Sequence, residues 1–126
     1  MGDYLRWLRR AEDDLTAMKI LLESSRPLYW IVAFHAQQAV EKYLKAYLVY
    51  NDKSFRKTHD IKELIDLCLE LDGEFKYLYE MGVDKLTLYS VEVRYPATLD
   101  VSREECLEAV EIAKRAIEFI RGKLPG

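Results

Sequence analysis

The sequence predicts an all-α fold, a single antiparallel up-and-down bundle of four to five helices. Apolar residues recur at the three- and four-residue steps of a helix face along most of the 126 residues. Helix breakers are few, with only 5 glycines and 3 prolines. Because 50% of the residues are hydrophobic and 33% are charged, the composition fits a globular chain with a core. We therefore expect one helical bundle domain over residues 1–126.

The first two helices are predicted from about Asp3 to Ser24 and from about Pro27 to Tyr50. Pro27 suits the first turn of the second helix, where its missing N–H is not needed. The apolar face of the first helix consists of Leu5, Leu8, Leu15, Met18, Leu21 and Leu22. A broad face of the second consists of Val32, Ala33, Ala36, Ala39, Val40, Tyr43, Leu44, Ala46, Tyr47 and Tyr50. The alanines predict close contact with a neighbouring helix.

A polar loop, Asn51–His59, leads to a third helix that Asp60 and Glu63 open as a capping box. A short fourth helix is expected to end near Gly82. The segment from there to Pro96 fits a helix or a strand, and a helix is favoured because a strand without a partner cannot form a sheet.

The last helix is predicted from about Arg103 to Gly122, after a second capping box formed by Ser102 and Glu105. Cys68 and Cys106 are the only cysteines. Without a CxxC spacing they form neither a zinc site nor a disulfide framework, and we expect both to be reduced core residues.

Charge and motifs exclude several functional classes. The formal net charge of -3 predicts no bulk attraction to nucleic acid, although 19 Lys and Arg leave room for a local basic patch. Two histidines are too few for a His-rich metal centre, and no metal or cofactor is expected. No nucleotide-loop, zinc-protease or nucleophile-elbow motif occurs. With no signal peptide or membrane span, we expect a cytoplasmic protein.

A polar stripe on the second helix is the main candidate site. His35, Gln38, Lys42 and Lys45 follow one another at steps of three, four and three residues, so they share the side opposite the core face. Lysine pairs with a phosphate and glutamine offers donors and acceptors to a base or ribose. The alternative is a solvated face with an ordinary Glu41–Lys45 pair. Three apolar residues interrupt this sector and favour a partner or ligand: Ile31, Phe34 and Val49.

Two shorter segments add candidates. Lys57 and His59 lie in RKTHD, just before a helix N-terminus that favours an anion. Arg94 precedes Tyr95 and Pro96 and is a candidate for phosphate binding. The alternatives are loop residues that promote solubility, and a turn in which Arg94 pairs with a carboxylate such as Glu41.

Four segments spread over nearly the whole chain form a recognisable set. They are RAEDDLTAMKILLE in the first helix, FHAQQAVEKYLKAYL in the second, KTHDIKEL at the start of the third and VRYP after the fourth. In this order the segments resemble the HEPN family of small helical proteins, and the segment of the second helix is the most specific of them.

The resemblance implies a four- or five-helix bundle that commonly forms a homodimer. Family members often accompany a minimal nucleotidyltransferase, encoded beside them or fused to them. The resemblance therefore implies such a partner, and a role in binding a nucleotide or an RNA phosphate. Other branches are metal-independent RNase toxins, with the nucleotidyltransferase as antitoxin.

The RNase branches carry an arginine followed by four to six residues and a histidine, and this chain departs from that spacing. Two residues separate Arg56 from His59, and eight separate Arg26 from His35. The leading hypothesis is therefore a non-catalytic binding module whose ligand lies along the stripe, with Lys57, His59 and Arg94 contributing. The second is an RNase with a rearranged site of His35, His59 and Arg94. The third is a structural homodimer with the stripe as its seam.

Overall fold

The computed structural model describes residues 2–90 and 100–126, and every regular element in these ranges is helical. The five α-helices are α1 (Gly2–Leu22), α2 (Tyr29–Tyr50), α3 (Ile61–Leu71), α4 (Lys76–Glu80) and α5 (Arg103–Arg121). Two 3-10 helices, Gly73–Phe75 and Val83–Tyr89, lie on either side of α4. The predicted all-α bundle is confirmed. None of the described helices is long and apolar enough to cross a membrane.

Helices α1 and α2 form an antiparallel pair. The ring of Tyr4, near the start of α1, lies 5.0 Å from the ring of Tyr50, at the end of α2. Farther along, Asp14 of α1 contacts His35 near the start of α2. Small side chains let the helices approach, as predicted, since the alanines of the α2 core face are fully buried.

An aromatic cluster joins α2 to α5. Phe75 is fully buried, with its ring 4.6 Å from that of Tyr47 and 5.2 Å from that of Phe119. Near the end of α5, Arg121 donates to the Tyr43 hydroxyl at 3.0 Å. The starts of α2 and α5 line one surface cavity, so α5 runs alongside α2 in the same direction.

The loop after α2 returns along the helix it has just left. The amide of Lys53 donates to the Leu48 carbonyl, and His59 then contacts Glu41 more than one helical turn earlier on α2. With α1 on one side and this loop on another, α2 is covered beyond its predicted core face. The predicted outward position is therefore wrong for Glu41 and Lys45, which are buried.

The helix ends match the predictions in part. The capping box of Ser102 and Glu105 is present. Asp60 caps α3 by accepting from the Lys62 amide, but Glu63 accepts from Arg56 and does not complete the predicted box.

Two predictions for α1 and α2 fail at particular residues. Helix α2 begins at Tyr29 after an extended Leu28, so Pro27 precedes the first turn that it was expected to occupy. On α1, Leu5 is 50% exposed and does not join the core.

Both cysteines lie in the core without a disulfide, as expected. Burial raises the pKa of the Cys68 thiol, and also that of Cys106, so neither is a reactive thiolate at neutral pH. For the segment after Gly82, the prediction of a helix rather than a strand is confirmed as far as Tyr89. The segment VEVRYP, with Arg94, lies outside the described residues.

Candidate functional site

A carboxylate of α1 gathers two predicted site residues of α2. Asp14 accepts from His35 Nδ1 at 2.8 Å through one oxygen and from Lys42 Nζ at 2.5 Å through the other. We call these three residues the Asp14 cluster. A carboxylate only accepts, so the His35 proton lies on Nδ1 and Nε2 is the basic nitrogen. Within residues 2–90 and 100–126, Nε2 makes no hydrogen bond.

The Asp14 cluster is reachable from solvent. The side chain of His35 is 24% exposed and that of Lys42 is 20% exposed. Lys42 has three donors and uses one of them on Asp14. Helix α1 thus fixes a histidine and an ammonium group side by side, with hydrogen-bonding capacity left on each.

A second cluster surrounds Glu41, whose side chain is only 2% exposed. Its carboxylate accepts from Gln37 Nε2, Lys45 Nζ and His59 Nδ1, each at 2.9 Å. We call these four residues the Glu41 cluster. A buried carboxylate is costly unless it is paired and hydrogen-bonded, and here it receives donors from three side chains. The returning loop therefore completes the burial of a charge on α2.

An amide chain links the surface to the Glu41 cluster. Gln38 Nε2 donates to Gln37 Oε1 at 2.7 Å, and Gln37 in turn donates to Glu41. Gln37 is fully buried and Gln38 is half-buried. The amide of Gln38 is thus oriented by its neighbour.

The structure separates the predicted site residues into three groups. His35, Gln38 and Lys42 lie together and are partly exposed, whereas Lys45 is buried beside Glu41 with His59 on the other side of that carboxylate. Lys57 is exposed and makes no hydrogen bond or ion pair within the described part of the chain. Arg94 lies outside it, so its predicted role stays a prediction.

A polar contact joins α1, α2 and α5 on another side of the bundle. The Tyr43 hydroxyl donates to Glu12, and Arg121 donates to the same carboxylate at 2.7 Å. Burial, followed by the bond to Glu12, raises the pKa of Tyr43 to about 12. Burial works against the charged form of Glu12, but the bonds from Tyr43 and Arg121 outweigh it and lower its pKa. This contact holds three helices together.

A groove along α1 contains charged and aromatic residues that were not among the predicted site residues. Asp3, Arg6, Trp7, Arg10 and Val49 line a surface cavity of about 230 Å³, which we call the α1 groove.

The Trp7 indole joins this groove to the Glu41 cluster. Lys45 Nζ lies 5.2 Å from the Trp7 ring centroid, within the range of a cation–π contact. The signal in the sequence was the concentration of cations around a tryptophan in RWLRR.

Asp14 was also missed, although its position gave a signal. It follows Ala11 by three residues and precedes Met18 by four, so it falls on the buried face of α1. A carboxylate there requires donors from a neighbouring helix. No group of His, Cys, Asp and Glu in the described ranges is arranged to hold a metal ion.

Comparisons with known proteins identify a family and a relative. The family model described as HEPN domain matches residues 4–123. A protein of Methanocaldococcus jannaschii, whose name describes it as a putative toxin, is 41% identical over 130 residues. The aligned region covers 91% of this chain and 84% of that protein. No solved structure gives a significant match.

Proposed function

The chain belongs to the HEPN family, and we propose that it is a toxin-like binding module that holds the phosphate of a nucleotide or RNA at the Asp14 cluster. The observation that supports this most directly is the placement of His35 and Lys42 on one carboxylate, partly exposed. Both groups are held in place before any ligand arrives, so binding costs little side-chain entropy.

The chemistry of the cluster suits an anion. Lys42 offers two further ammonium donors, and a phosphate oxygen is a strong acceptor for such charge-assisted bonds. In its doubly protonated form, His35 would add a second N–H donor at Nε2. Gln38, between them on the helix, offers its amide to a base or ribose.

Lys45 has a different role in this proposal. Its ammonium is buried on Glu41, so it supports α2 and does not reach the ligand. Lys57 and His59 remain proposed contributors from the loop, together with Arg94.

We also propose that the chain acts with a minimal nucleotidyltransferase as the toxin-like half of a toxin–antitoxin pair. The support is the family membership together with the toxin name of the relative. Expression of the chain alone should slow the growth of a host, and co-expression of the partner should restore it. Harmless expression of soluble chain would contradict the toxin role.

Calorimetric titration with ATP and with a short single-stranded RNA tests the binding site. Lys42→Gln should weaken binding about tenfold, since a charge-assisted bond contributes roughly 1.5–3 kcal/mol. His35→Asn keeps a donor for Asp14 and loses Nε2. The matched control is Lys62→Gln, an exposed lysine paired with Asp66 on α3. Absence of binding heat from the wild type, or equal binding by Lys42→Gln, would contradict the proposal.

One observation favours a second candidate, a metal-independent RNase. Both histidines present Nδ1 to a carboxylate, His35 to Asp14 and His59 to Glu41. A carboxylate orients an imidazole and supports it as a general base or acid. Purified chain should then cleave RNA in EDTA, and His35→Asn should abolish the cleavage. Intact RNA at high protein concentration would eliminate this candidate.

The homodimer remains a proposal that rests on the family resemblance. The polar groups of the Asp14 and Glu41 clusters find their partners within one chain. Pairing across a two-fold axis is therefore not needed to satisfy them.

A further inference from the structure

Two guanidinium groups in the α1 groove have no carboxylate partner among the residues that the structure describes. Arg6 and Arg10 are exposed, lie about one helical turn apart and line the same cavity. Neither makes a hydrogen bond or an ion pair within residues 2–90 and 100–126. Asp3 also lines the groove, so two cations face one carboxylate there. The groove is locally basic on a chain of formal net charge -3.

The third feature of the groove is an aromatic ring held from the protein side. The Trp7 ring meets the Phe55 ring edge-on, with centroids 6.3 Å apart. Lys45, which lies 5.2 Å from the indole centroid, is itself tied to Glu41 at 2.9 Å. The indole is thus restrained on one side while it lines the groove on another.

Trp7 also has a polar atom to consider, the indole nitrogen. Its indole N–H donates to no group in the described ranges. A restrained ring loses little freedom on binding, and every nucleobase offers a π-face to it.

We propose that the α1 groove is a subsite for an unpaired nucleic-acid strand, with one base stacked on Trp7 and the neighbouring phosphates on Arg6 and Arg10. The planar guanidinium fork matches phosphate oxygens. Stacking tolerates any base, so the subsite selects unpaired strands and does not read sequence.

Along α1, the groove lies one helical turn from the Asp14 cluster. Arg10 and Asp14 lie one turn apart on α1, about 6 Å along the helix axis. A strand in the groove therefore leads toward His35 and Lys42. This continuation rests on the proposed function, whereas the subsite itself does not.

Tryptophan fluorescence and RNA anisotropy test the subsite on the full chain. Trp30→Phe leaves Trp7 as the sole tryptophan, because the chain has two. Titration with a short oligouridine RNA should quench Trp7 with saturation. Arg6→Gln/Arg10→Gln, made at exposed positions, should weaken binding of labelled RNA about tenfold. Trp7→Leu should weaken it by a similar factor, since a base–aromatic stack contributes roughly that much.

A matched control removes two charges elsewhere. Arg103 and Lys114 are exposed cations of α5 outside the α1 groove. Arg103→Gln/Lys114→Gln should bind RNA within about twofold of the wild type, since neither residue lines the α1 groove. An equal loss of RNA affinity in this control would show that net charge alone causes the effect, and would overturn the subsite.

Competition experiments distinguish an RNA strand from an acidic protein surface as the ligand of the α1 groove. Unlabelled oligouridine should displace the probe, whereas polyglutamate and the fully paired duplex should compete far more weakly. Equal competition by polyglutamate would overturn the stacking claim, and equal competition by the duplex would overturn the preference for unpaired strands. Absence of quenching, or unchanged affinity in Arg6→Gln/Arg10→Gln, would also overturn the subsite.

The two proposals fail separately. If Lys42→Gln weakens ATP binding while Arg6→Gln/Arg10→Gln leaves RNA binding unchanged, the α1 groove is not a subsite and the proposed function stands. If the arginine variant alone weakens RNA binding, the subsite stands and the Asp14 cluster is not the phosphate site.

Discussion

Helices α1 and α2 both place cations along their shared seam, but they differ in how those charges are balanced. On α2, Lys42 donates to Asp14 at 2.5 Å and Lys45 donates to Glu41 at 2.9 Å. On α1, Arg6 and Arg10 lie at an open groove and have no carboxylate bonded to them in the described part of the chain.

The difference follows from burial. An ammonium in the interior requires a carboxylate, because an isolated buried charge is strongly destabilised. A guanidinium in solvent requires none, since water stabilises it. The balanced cations therefore support the fold, and the unbalanced ones are available to a ligand. Lys42, which is balanced but partly exposed, lies between these two cases.

The largest expected effect is on the buried pair. Glu41→Gln leaves the Lys45 ammonium in the interior without its carboxylate. We expect the free energy of unfolding to fall by about 3–5 kcal/mol, the cost of breaking a buried pair from one side. Urea denaturation followed by circular dichroism measures it. Arg10→Gln is the control and should change stability by less than about 0.5 kcal/mol. Similar losses of unfolding free energy in both variants would contradict the difference between the buried cations of α2 and the exposed cations of α1.

A smaller loss is expected in the Asp14 cluster. Asp14→Asn removes the negative charge that Lys42 and His35 share. Water reaches both donors, so the expected loss is about 2 kcal/mol, as for hydrogen bonds to a charged group. A loss as large as that of Glu41→Gln would show that partial exposure does not reduce the cost.

The contact between Tyr43 and Glu12 gives a pH dependence. The pKa of Tyr43 is raised to about 12 in the folded chain, above its ordinary value near 10. Its contribution to stability is therefore complete below about pH 10 and is lost as the pH rises toward 12. The melting temperature of the wild type should fall more steeply over this window than that of Tyr43→Phe. Parallel curves for the two proteins would contradict the assigned bond.

The smallest effect is expected for a pair that is balanced but exposed. Lys62 and Asp66 on α3 lie 3.1 Å apart with both side chains in solvent. Lys62→Gln should lower the free energy of unfolding by no more than about 0.5 kcal/mol, because exposed pairs one turn apart contribute little. A loss above 2 kcal/mol would show that pairing itself, and not burial, stabilises this fold.

Helical periodicity was enough to predict the fold class and most helix positions. The step of three and four residues located the faces of α1, α2 and α5, and the Ser102 box located the start of α5 within a residue. Local signals of this kind act within a turn or two of chain, so they are readable without tertiary contacts. Pro27 failed because its fixed backbone angle also suits the residues just before a helix.

The candidate site was only half predictable, because it depends on which elements cover α2. Periodicity placed Lys45 and Glu41 opposite the alanine face, but α1 and the returning loop together bury them. Helical spacing describes one helix and does not say how many neighbours surround it. The pairing of Asp14 with His35 and Lys42 likewise required the register between α1 and α2.

The salt dependence of RNA binding tests most directly the claim that Arg6 and Arg10 bind the strand, since each phosphate contact adds a fixed amount to the slope. For single strands the logarithm of the binding constant falls by about 0.7 per contact for each tenfold rise in salt. Arg6→Gln/Arg10→Gln should therefore reduce the slope by roughly 1.4, for two contacts. Arg103→Gln/Lys114→Gln should leave it unchanged. Equal slopes for the wild type and Arg6→Gln/Arg10→Gln would contradict the claim that the unbalanced cations of α1 bind the strand.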